Sequence, residues 1–184
     1  SVLGSSKELS SDWPDSADGL ARCHAFQTRT FIKTWEATYG LAHKAQLCLV
    51  EVRGHAGQAV LMVPLMIYRS GGSRILGFTD LGVSDYNAPI LFPTADPWTR
   101  ERALRVWLAI TAQLPPFDIV RLDKLPEMVG DLVNPLYLLS DSANPESCHL
   151  TRLDQPLAVV EGQISDIKRL RTRHRALQRL GTCE

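Results

Sequence analysis

The sequence lacks long apolar runs, closely spaced cysteines and an excess of charge of either sign. No stretch approaches the roughly 18 consecutive apolar residues that a membrane-spanning helix needs. Twenty basic residues balance twenty acidic ones, so no overall field attracts nucleic acid or an anionic membrane. The first residues, SVLGSSKELSSDWPDS, lack the basic start and apolar core of a signal peptide. These absences predict a soluble protein without a membrane span.

Cysteine and histidine are too scattered to indicate a metal site. The four cysteines form no CxxC pair, and neither they nor the five histidines show zinc-ligand spacing. Cys48 lies in an apolar run, which favours a small buried thiol over a disulfide or metal role. We therefore predict no metal and a reducing, cytoplasmic compartment.

The composition is that of an ordinary globular protein with one unevenly charged segment. The 184 residues are 45% hydrophobic and 22% charged, which suits one domain or a domain with an appendage. Residues 161–180 carry six basic and two acidic side chains, a net charge of +4, whereas residues 1–160 have a net charge of −3. Positive charge is thus concentrated near the C-terminal end of the sequence.

Apolar spacing and turn residues divide the chain into elements. Residues 1–20 are polar and predict a loose lead-in. An amphipathic helix is predicted over 26–40, with Thr28 as its N-cap and Gly40 at its C-terminal end. Strands are predicted over 46–53, 58–68, 74–78 and 88–92, which would form an antiparallel meander with Pro64 at a bulge or an edge.

The second part of the chain alternates helices and short strands. We predict a helix over 99–114, a strand buried on both faces over 117–122, a short helix over 126–133, strands over 137–139 and 147–153, and a long helix over 160–180. The strand at 117–122 follows a helix and should therefore pair parallel to a neighbour. This order predicts an α+β architecture with helices packed on a mixed, mostly antiparallel, twisted sheet.

Several landmarks occur in an order typical of one family. They are Phe26-Gln27, a helix with Trp35 closed by Tyr39-Gly40, Val63-Pro64-Leu65, Leu76-Gly77, Ser84-Asp85-Tyr86, the ending Leu-Asp-Lys-Leu-Pro after Asp118, and an arginine-rich helix closed by Leu180-Gly181. Together they cover about residues 25–184 and resemble the CelD-type acetyltransferases of bacterial cellulose and exopolysaccharide biosynthesis. The resemblance implies a GNAT-like (N-acetyltransferase) fold, usually duplicated in two halves.

The same resemblance implies a domain organisation and an activity. Residues 21–156 would be the N-terminal GNAT-like domain, and residues 157–184 a basic helix leading toward a second GNAT-like half. The activity implied is transfer of an acyl group from acetyl-CoA or another acyl-CoA to a sugar amine or hydroxyl, or to a small amine, in polysaccharide or cell-envelope biosynthesis. The alternative is a degenerate, non-catalytic module that binds a saccharide or a protein partner.

The acyl-CoA site is expected outside this segment. GNAT proteins hold the CoA pyrophosphate on a glycine-rich turn that opens a helix, because helix N-terminal N–H groups and the helix dipole favour phosphate. The glycine-containing turns at 54–57, 70–73 and 179–181 do not stand between a strand and a helix with the required spacing. We therefore expect this segment alone to be inactive.

The polar loop at 84–87 supplies the candidate chemistry. Asp85 would act as general base or substrate anchor and Tyr86 as general acid, while Ser84 and Asn87 would contact the substrate. The alternative is a simple turn, in which Asp85 and Asn87 bond local backbone. Asp80 and Asp123 also stand at strand ends, and Asp123 is taken as a further substrate-binding candidate.

The last predicted helix has two different faces. An apolar stripe of Ile164, Ile167, Leu170, His174 and Leu177 should be buried, while a basic stripe of Lys168, Arg171, Arg175 and Arg179 should face water or an anion. The anion could be CoA phosphate, polysaccharide or nucleic acid, although no base-reading motif or interleaved aromatic residue supports nucleic acid. Alternatively, the basic face is simply solvated and the helix packs on the second half.

Overall fold

The computed structural model describes residues 1–17, 19–140 and 154–179 of the chain. The chain divides into two compact units, Ser1–Ala143 and Asn144–Glu184. The first unit contains the strands β1 (Val2–Leu3), β2 (Gln46–Arg53), β3 (Ala59–Ser70), β4 (Ser73–Phe78), β5 (Ile90–Leu91), β6 (Ile119–Val120), β7 (Met128–Val129) and β8 (Leu132–Val133) and the helices α1 (Arg29–Trp35) and α2 (Arg100–Thr111). The second contains α3 (Leu157–Gln163) and α4 (Ile167–Gln178).

The main sheet is mixed and mostly antiparallel, as the sequence predicts. Its strand order is β1-β2-β3-β4-β6, with β5 also pairing with β3. All these pairs are antiparallel except β4 with β6, which are parallel, with Ile75 opposite Ile119 and Leu76 opposite Val120. The predicted parallel pairing of the strand after α2 is therefore confirmed.

The predicted four-strand meander is wrong in its last step. β3 is 12 residues long, and β4 pairs only with its second half, from Leu65 to Ser70. β5 returns to the first half of β3, opposite Leu61 and Met62, instead of extending the sheet beyond β4. This leaves the outer edge of β4 for β6, whose pairing with β4 positions the candidate site described below.

One core lies on each face of the sheet. Alternate residues of β2 and β3 point to opposite faces, so Val50 and Val63 join one cluster, while Leu49 and Met62 join the other. The first cluster packs against α2 through Ile110 and contains Cys48, which is fully buried as predicted. The second packs against α1 and contains Trp13, Ile32 and Trp35. The sheet is thus flanked by a helix on each face.

The first helix begins as predicted but does not end at Gly40. The Phe31 N–H donates to Thr28 Oγ1, so Thr28 caps α1. Beyond Trp35 the chain continues through a wider helical turn, Glu36–Gly40, and Leu41 is still helical. Gly40 is required for packing, because a Cβ there would lie 2.9 Å from the Trp35 ring. The first residue after it with a left-handed backbone is Lys44, with φ of 50°.

The predicted loose lead-in is instead packed against the sheet. β1 pairs with β2, and the Trp13 side chain is 1% exposed and donates from Nε1 to the Gln27 carbonyl at 2.8 Å. Ser6 donates to the Glu36 carboxylate and Ser10 donates to that of Glu51. The polar composition of this segment did not predict its packing, because the serines bind carboxylates that lie far along the sequence.

Three further predictions between 117 and 139 are corrected by the structure. β6 is an edge strand, with Ile119 49% exposed, and is not buried on both faces. Residues 126–133 contain the hairpin β7–β8 in place of a helix, because Gly130 adopts a φ of 61° that suits a tight turn. Tyr137–Leu139 is a short 3₁₀ turn and not a strand. The strand predicted over 147–153 lies outside the described residues.

Over its described residues, 154–179, the second unit has two helices where one was predicted over 160–180. Ile164, between α3 and α4, has φ of −82° and ψ of 109°, an extended conformation that interrupts the helix. α4 is therefore a separate helix of 12 residues that carries five of the six clustered basic side chains.

Candidate small-molecule site at the ends of β4 and β6

A cavity of about 350 Å³ lies where the pairing of the two parallel strands, β4 and β6, ends. Directly after β6, the Arg121 N–H donates to the Leu76 carbonyl at 2.8 Å. The cavity, here called the strand-end cavity, is lined by Met66, Tyr68, Gly77, Phe78, Asp80, Leu81, Gly82, Asn87, Arg121, Asp123 and Lys124. Its walls thus come from β3, from β4 with the loop after it, and from the segment after β6. Chain segments that follow parallel strands share one sheet edge, where ligand sites commonly form.

Asp80 organises the loop on one side of the strand-end cavity. Its Oδ1 accepts from the backbone N–H groups of Gly82 at 3.0 Å and Ser84 at 2.9 Å. Its Oδ2 accepts from Asn87 Nδ2 at 2.9 Å and pairs with Lys124 Nζ at the same distance. Both oxygens of this buried carboxylate are therefore used by the protein itself.

These bonds fix Asp80 in its charged form. Burial by itself would raise the pKa of Asp80, but hydrogen bonds from the Ser84 backbone, Asn87 and Lys124 outweigh burial and lower that pKa to about 2. A carboxylate with so low a pKa is a poor general base near neutral pH. Asp80 is thus a positioning residue for the loop and not a proton acceptor.

Two residues from the first half of the chain hold the same loop in place. The fully buried side chain of Gln27 donates from Nε2 to the Tyr86 carbonyl at 2.9 Å and accepts the His24 N–H at 3.0 Å. Trp35 donates from Nε1 to the Asp80 carbonyl at 3.1 Å. Gln27 and Trp35, two of the landmarks in the family resemblance, thus each bond to the backbone of the loop beside the cavity.

Of the four predicted loop residues, Ser84 and Asn87 form a buried pair, whereas Asp85 and Tyr86 are more accessible to solvent. Ser84 and Asn87 are buried, and the Ser84 hydroxyl donates to Asn87 Oδ1 at 2.9 Å. Asp85 is exposed, and Tyr86 is half-buried with its ring stacked on His24 at 4.9 Å. The loop does contain an Asx-type turn, but its side-chain acceptor is Asp80 and not Asp85.

Only two of the five predicted catalytic and substrate-binding residues line the strand-end cavity. Asn87 and Asp123 do so, while Ser84, Asp85 and Tyr86 are not among its described lining residues. Asn87 Nδ2 donates to the Asp123 carbonyl at 3.1 Å, which joins the two sides of the cavity. The structure therefore brings Ser84, Asn87 and Asp123 together around Asp80.

Sequence reasoning did not single out Tyr68, Arg121 or Lys124 as site residues. Arg121 pairs with Asp123 at 2.6 Å, and its pKa is raised chiefly by that hydrogen bond, with a smaller contribution from the nearby Tyr68 hydroxyl. Lys124 donates to the Ser84 carbonyl at 2.6 Å and has a left-handed backbone with φ of 62°. Their position at strand ends could have marked them as candidate site residues. However, the local sequence pattern could not show which strands lie beside β3 and β4.

The N-terminus of α2 does not fit a CoA pyrophosphate. Thr99 Oγ1 accepts the Arg102 N–H at 3.2 Å, and the Glu101 carboxylate lies in the first turn of the helix. The pKa of Glu101 is lowered chiefly by a hydrogen bond from its own backbone N–H. A phosphate at this end would compete with one carboxylate for the same donors and be repelled by its charge.

The four predicted anion-binding residues lie in the second unit. Lys168, Arg171 and Arg175 are on α4, and Arg179 directly follows it; all four are exposed. Arg171 pairs with Glu161 of α3 at 2.7 Å. The predicted burial of the apolar stripe is wrong for its later members, because Leu170 and Leu177 are 50% and 55% exposed.

Neither a metal site nor a membrane-spanning helix finds support in the described parts of the chain. Among those residues, no group of three or more histidine, cysteine, aspartate or glutamate side chains could hold a metal ion. Nor does any described helix combine the length and apolar character needed to cross a membrane. Comparison with protein-family models, curated proteins and solved structures finds no match. The fold and site define an α+β protein with a polar cavity at the end of a parallel strand pair.

Proposed function

We propose that this chain is the acceptor-binding lobe of a GNAT-like, acyl-CoA-dependent acyltransferase of polysaccharide or cell-envelope biosynthesis. The observation that carries the proposal is the strand-end cavity, which opens where β4 and β6, the one parallel pair among the described strands, stop pairing. The order of elements supports it: an antiparallel β2-β3-β4 segment, then α2, then β6 beside β4. This order agrees with the GNAT-like fold expected from the sequence.

The lining of the cavity suits a small polar acceptor. Arg121 and Lys124 present cationic donors, Asp123 presents a carboxylate, and Tyr68 presents a hydroxyl that can donate or accept. Met66 and Phe78 add apolar surface against which a sugar ring can pack. An amine or hydroxyl of a sugar, or a small amine, would find both donors and acceptors in this space.

The acyl donor belongs elsewhere in the proposed enzyme. The Glu101 carboxylate at the N-terminus of α2 disfavours a pyrophosphate at that end of the helix. We assign acyl-CoA binding to a second GNAT-like half, and this chain would bind and orient the acceptor. Asp85 and Tyr86 remain proposed catalytic residues, which would face the reaction only when the second half is present.

Acceptor binding can be measured by two-dimensional NMR of the chain titrated with glucosamine, a neutral disaccharide and a simple alkylamine. We expect one of these to shift the amide signals of Tyr68 and 121–124 in a saturable way. Tyr68→Phe removes a hydroxyl, and Asp123→Asn replaces a charged acceptor oxygen with an NH₂ donor, so each change should weaken binding about tenfold. Tyr39→Phe and Asp96→Asn are matched controls in exposed positions away from the cavity, and they should leave probe binding unchanged. Absence of saturable shifts with every probe would refute acceptor binding.

A non-catalytic binding module is the second candidate, and one observation favours it. The two carboxylates at the cavity are already engaged, Asp80 with Lys124 and Asp123 with Arg121. One assay separates the acyltransferase from the binding module. It measures acyl transfer from radiolabelled acetyl-CoA to the bound probe, with the complete gene product as the enzyme. Transfer that is lost in Asp85→Ala or Tyr86→Phe, without a lower melting temperature, supports the acyltransferase. Acceptor binding without any transfer supports the binding module.

A further inference from the structure

We propose that α4 lies along the surface of an anionic lipid bilayer and attaches the chain to it. The proposal is independent of the strand-end cavity. It depends on two properties that α4 shows together: a dense set of basic side chains, and exposed apolar side chains on one stripe.

The basic charge of α4 is largely uncompensated. From Ile167 to Gln178 the helix contains five basic residues and no acidic one, and Arg179 follows directly. Arg171 pairs with Glu161, and Arg169 lies 3.6 Å from Asp166. The other basic residues, Lys168, Arg173, Arg175 and Arg179, have no carboxylate partner among the described residues. This charge would attract the anionic headgroups of a bilayer at close range.

The apolar stripe distinguishes a bilayer from a polyanion. Ile167, Leu170 and Leu177, with His174 between the leucines, fall on one side of a helix of 3.6 residues per turn. At the same periodicity Arg171 borders one side of this stripe and Arg173 borders the other. Leucines flanked by arginines suit a helix that buries a narrow face among acyl chains and places its charges among headgroups.

A nucleic acid or an acidic polysaccharide would use the charges but leave the leucines in water. α4 also has no phenylalanine, tyrosine or tryptophan side chain on which a base could stack. Both differences favour a lipid surface as the partner of this helix.

Sedimentation with vesicles tests the proposal on the whole chain. We expect binding to mixed phosphatidylserine–phosphatidylcholine vesicles and none to pure phosphatidylcholine vesicles. The triple variant R173Q/R175Q/R179Q should weaken binding about a hundredfold, equivalent to about 3 kcal/mol at 1.4 kcal/mol per tenfold. The variant K33Q/R69Q/R105Q removes the same charge from exposed sites in the first unit and should bind like the wild type.

A second pair of variants tests the apolar contribution. L170Q/L177Q should weaken vesicle binding about tenfold, whereas L104Q/L108Q, which changes two exposed leucines of α2, should not. Circular dichroism should confirm equal helix content in all variants. The proposal fails if anionic vesicles do not bind the wild type. It also fails if L170Q/L177Q binds like the wild type, because a purely electrostatic partner such as nucleic acid would then be indicated.

Discussion

The replacement Asp80→Asn tests whether one buried carboxylate holds the loop beside the strand-end cavity. Asparagine has nearly the same shape, and its oxygen can still accept from the Gly82 and Ser84 N–H groups. Its NH₂ group, however, would replace the oxygen that accepts from Asn87 Nδ2 and pairs with Lys124 Nζ. Two donors would then face a third donor, and the lysine charge would lose its partner.

The size of the effect follows from the pKa of Asp80. A pKa of about 2 in the folded state, against 3.8 for the ordinary group, corresponds to about 2 kcal/mol of stability at neutral pH. Because the folded-state pKa is the lower one, this contribution is present above about pH 5 and is lost as the pH falls toward 2. Adding the clash of donors, we expect Asp80→Asn to cost about 3 kcal/mol at pH 7.

Urea unfolding followed by circular dichroism, at pH 7 and at several lower values, measures this effect. The free energy of unfolding of the wild type should fall more steeply with acid than that of Asp80→Asn. Asp118→Asn is the matched control, since the pKa of Asp118 is also lowered to about 2 by Arg74. That ion pair is exposed on both sides, so solvent should screen it and its loss should matter little. Equal losses in the two variants, or equal acid dependence in Asp80→Asn and wild type, would refute the reasoning.

Two further predictions concern the sheet. Gly77→Ala should lower the free energy of unfolding by about 1 kcal/mol, because the new Cβ would lie 3.1 Å from the Arg121 carbonyl where β4 and β6 stop pairing. A urea titration measures this loss, and unchanged stability would contradict the close approach. Cys48, fully buried and with its pKa raised to about 11 by burial, should resist a thiol reagent at pH 8 until urea unfolds the chain, and rapid labelling of the native protein would contradict its burial.

Elements specified by neighbouring residues could be predicted from the sequence. Thr28 marks the start of α1 because its side chain caps the next turn, and the strand at 46–53 has the bounds expected from its composition. The parallel pairing of β6 followed from its place after a helix. Prediction failed where distant contacts decide the outcome, as at β5, which pairs with β3 while β6 pairs with the outer edge of β4.

The candidate site shows the same division. The polar loop at 84–87 was found from composition, and the structure does place Asn87 at the strand-end cavity. Composition could not show that Asp80, rather than Asp85, turns inward, because two of its partners are side chains and one of these, Lys124, belongs to a segment far along the chain. Tyr68 was missed for a similar reason, since only the pairing of β3, β4 and β6 brings it near Arg121.

The short strand β1 has a consequence for how the chain behaves in concentrated solution. It occupies part of the outer edge of β2, where Leu49 and Val50 would otherwise present unpaired backbone groups beside apolar side chains. Exposed strand edges of this kind recruit strands from other molecules and begin aggregation. The serine–glutamate contacts that fasten residues 6–10 thus also keep this edge covered. Removing the first dozen residues would expose this edge of β2 and make the chain prone to aggregation.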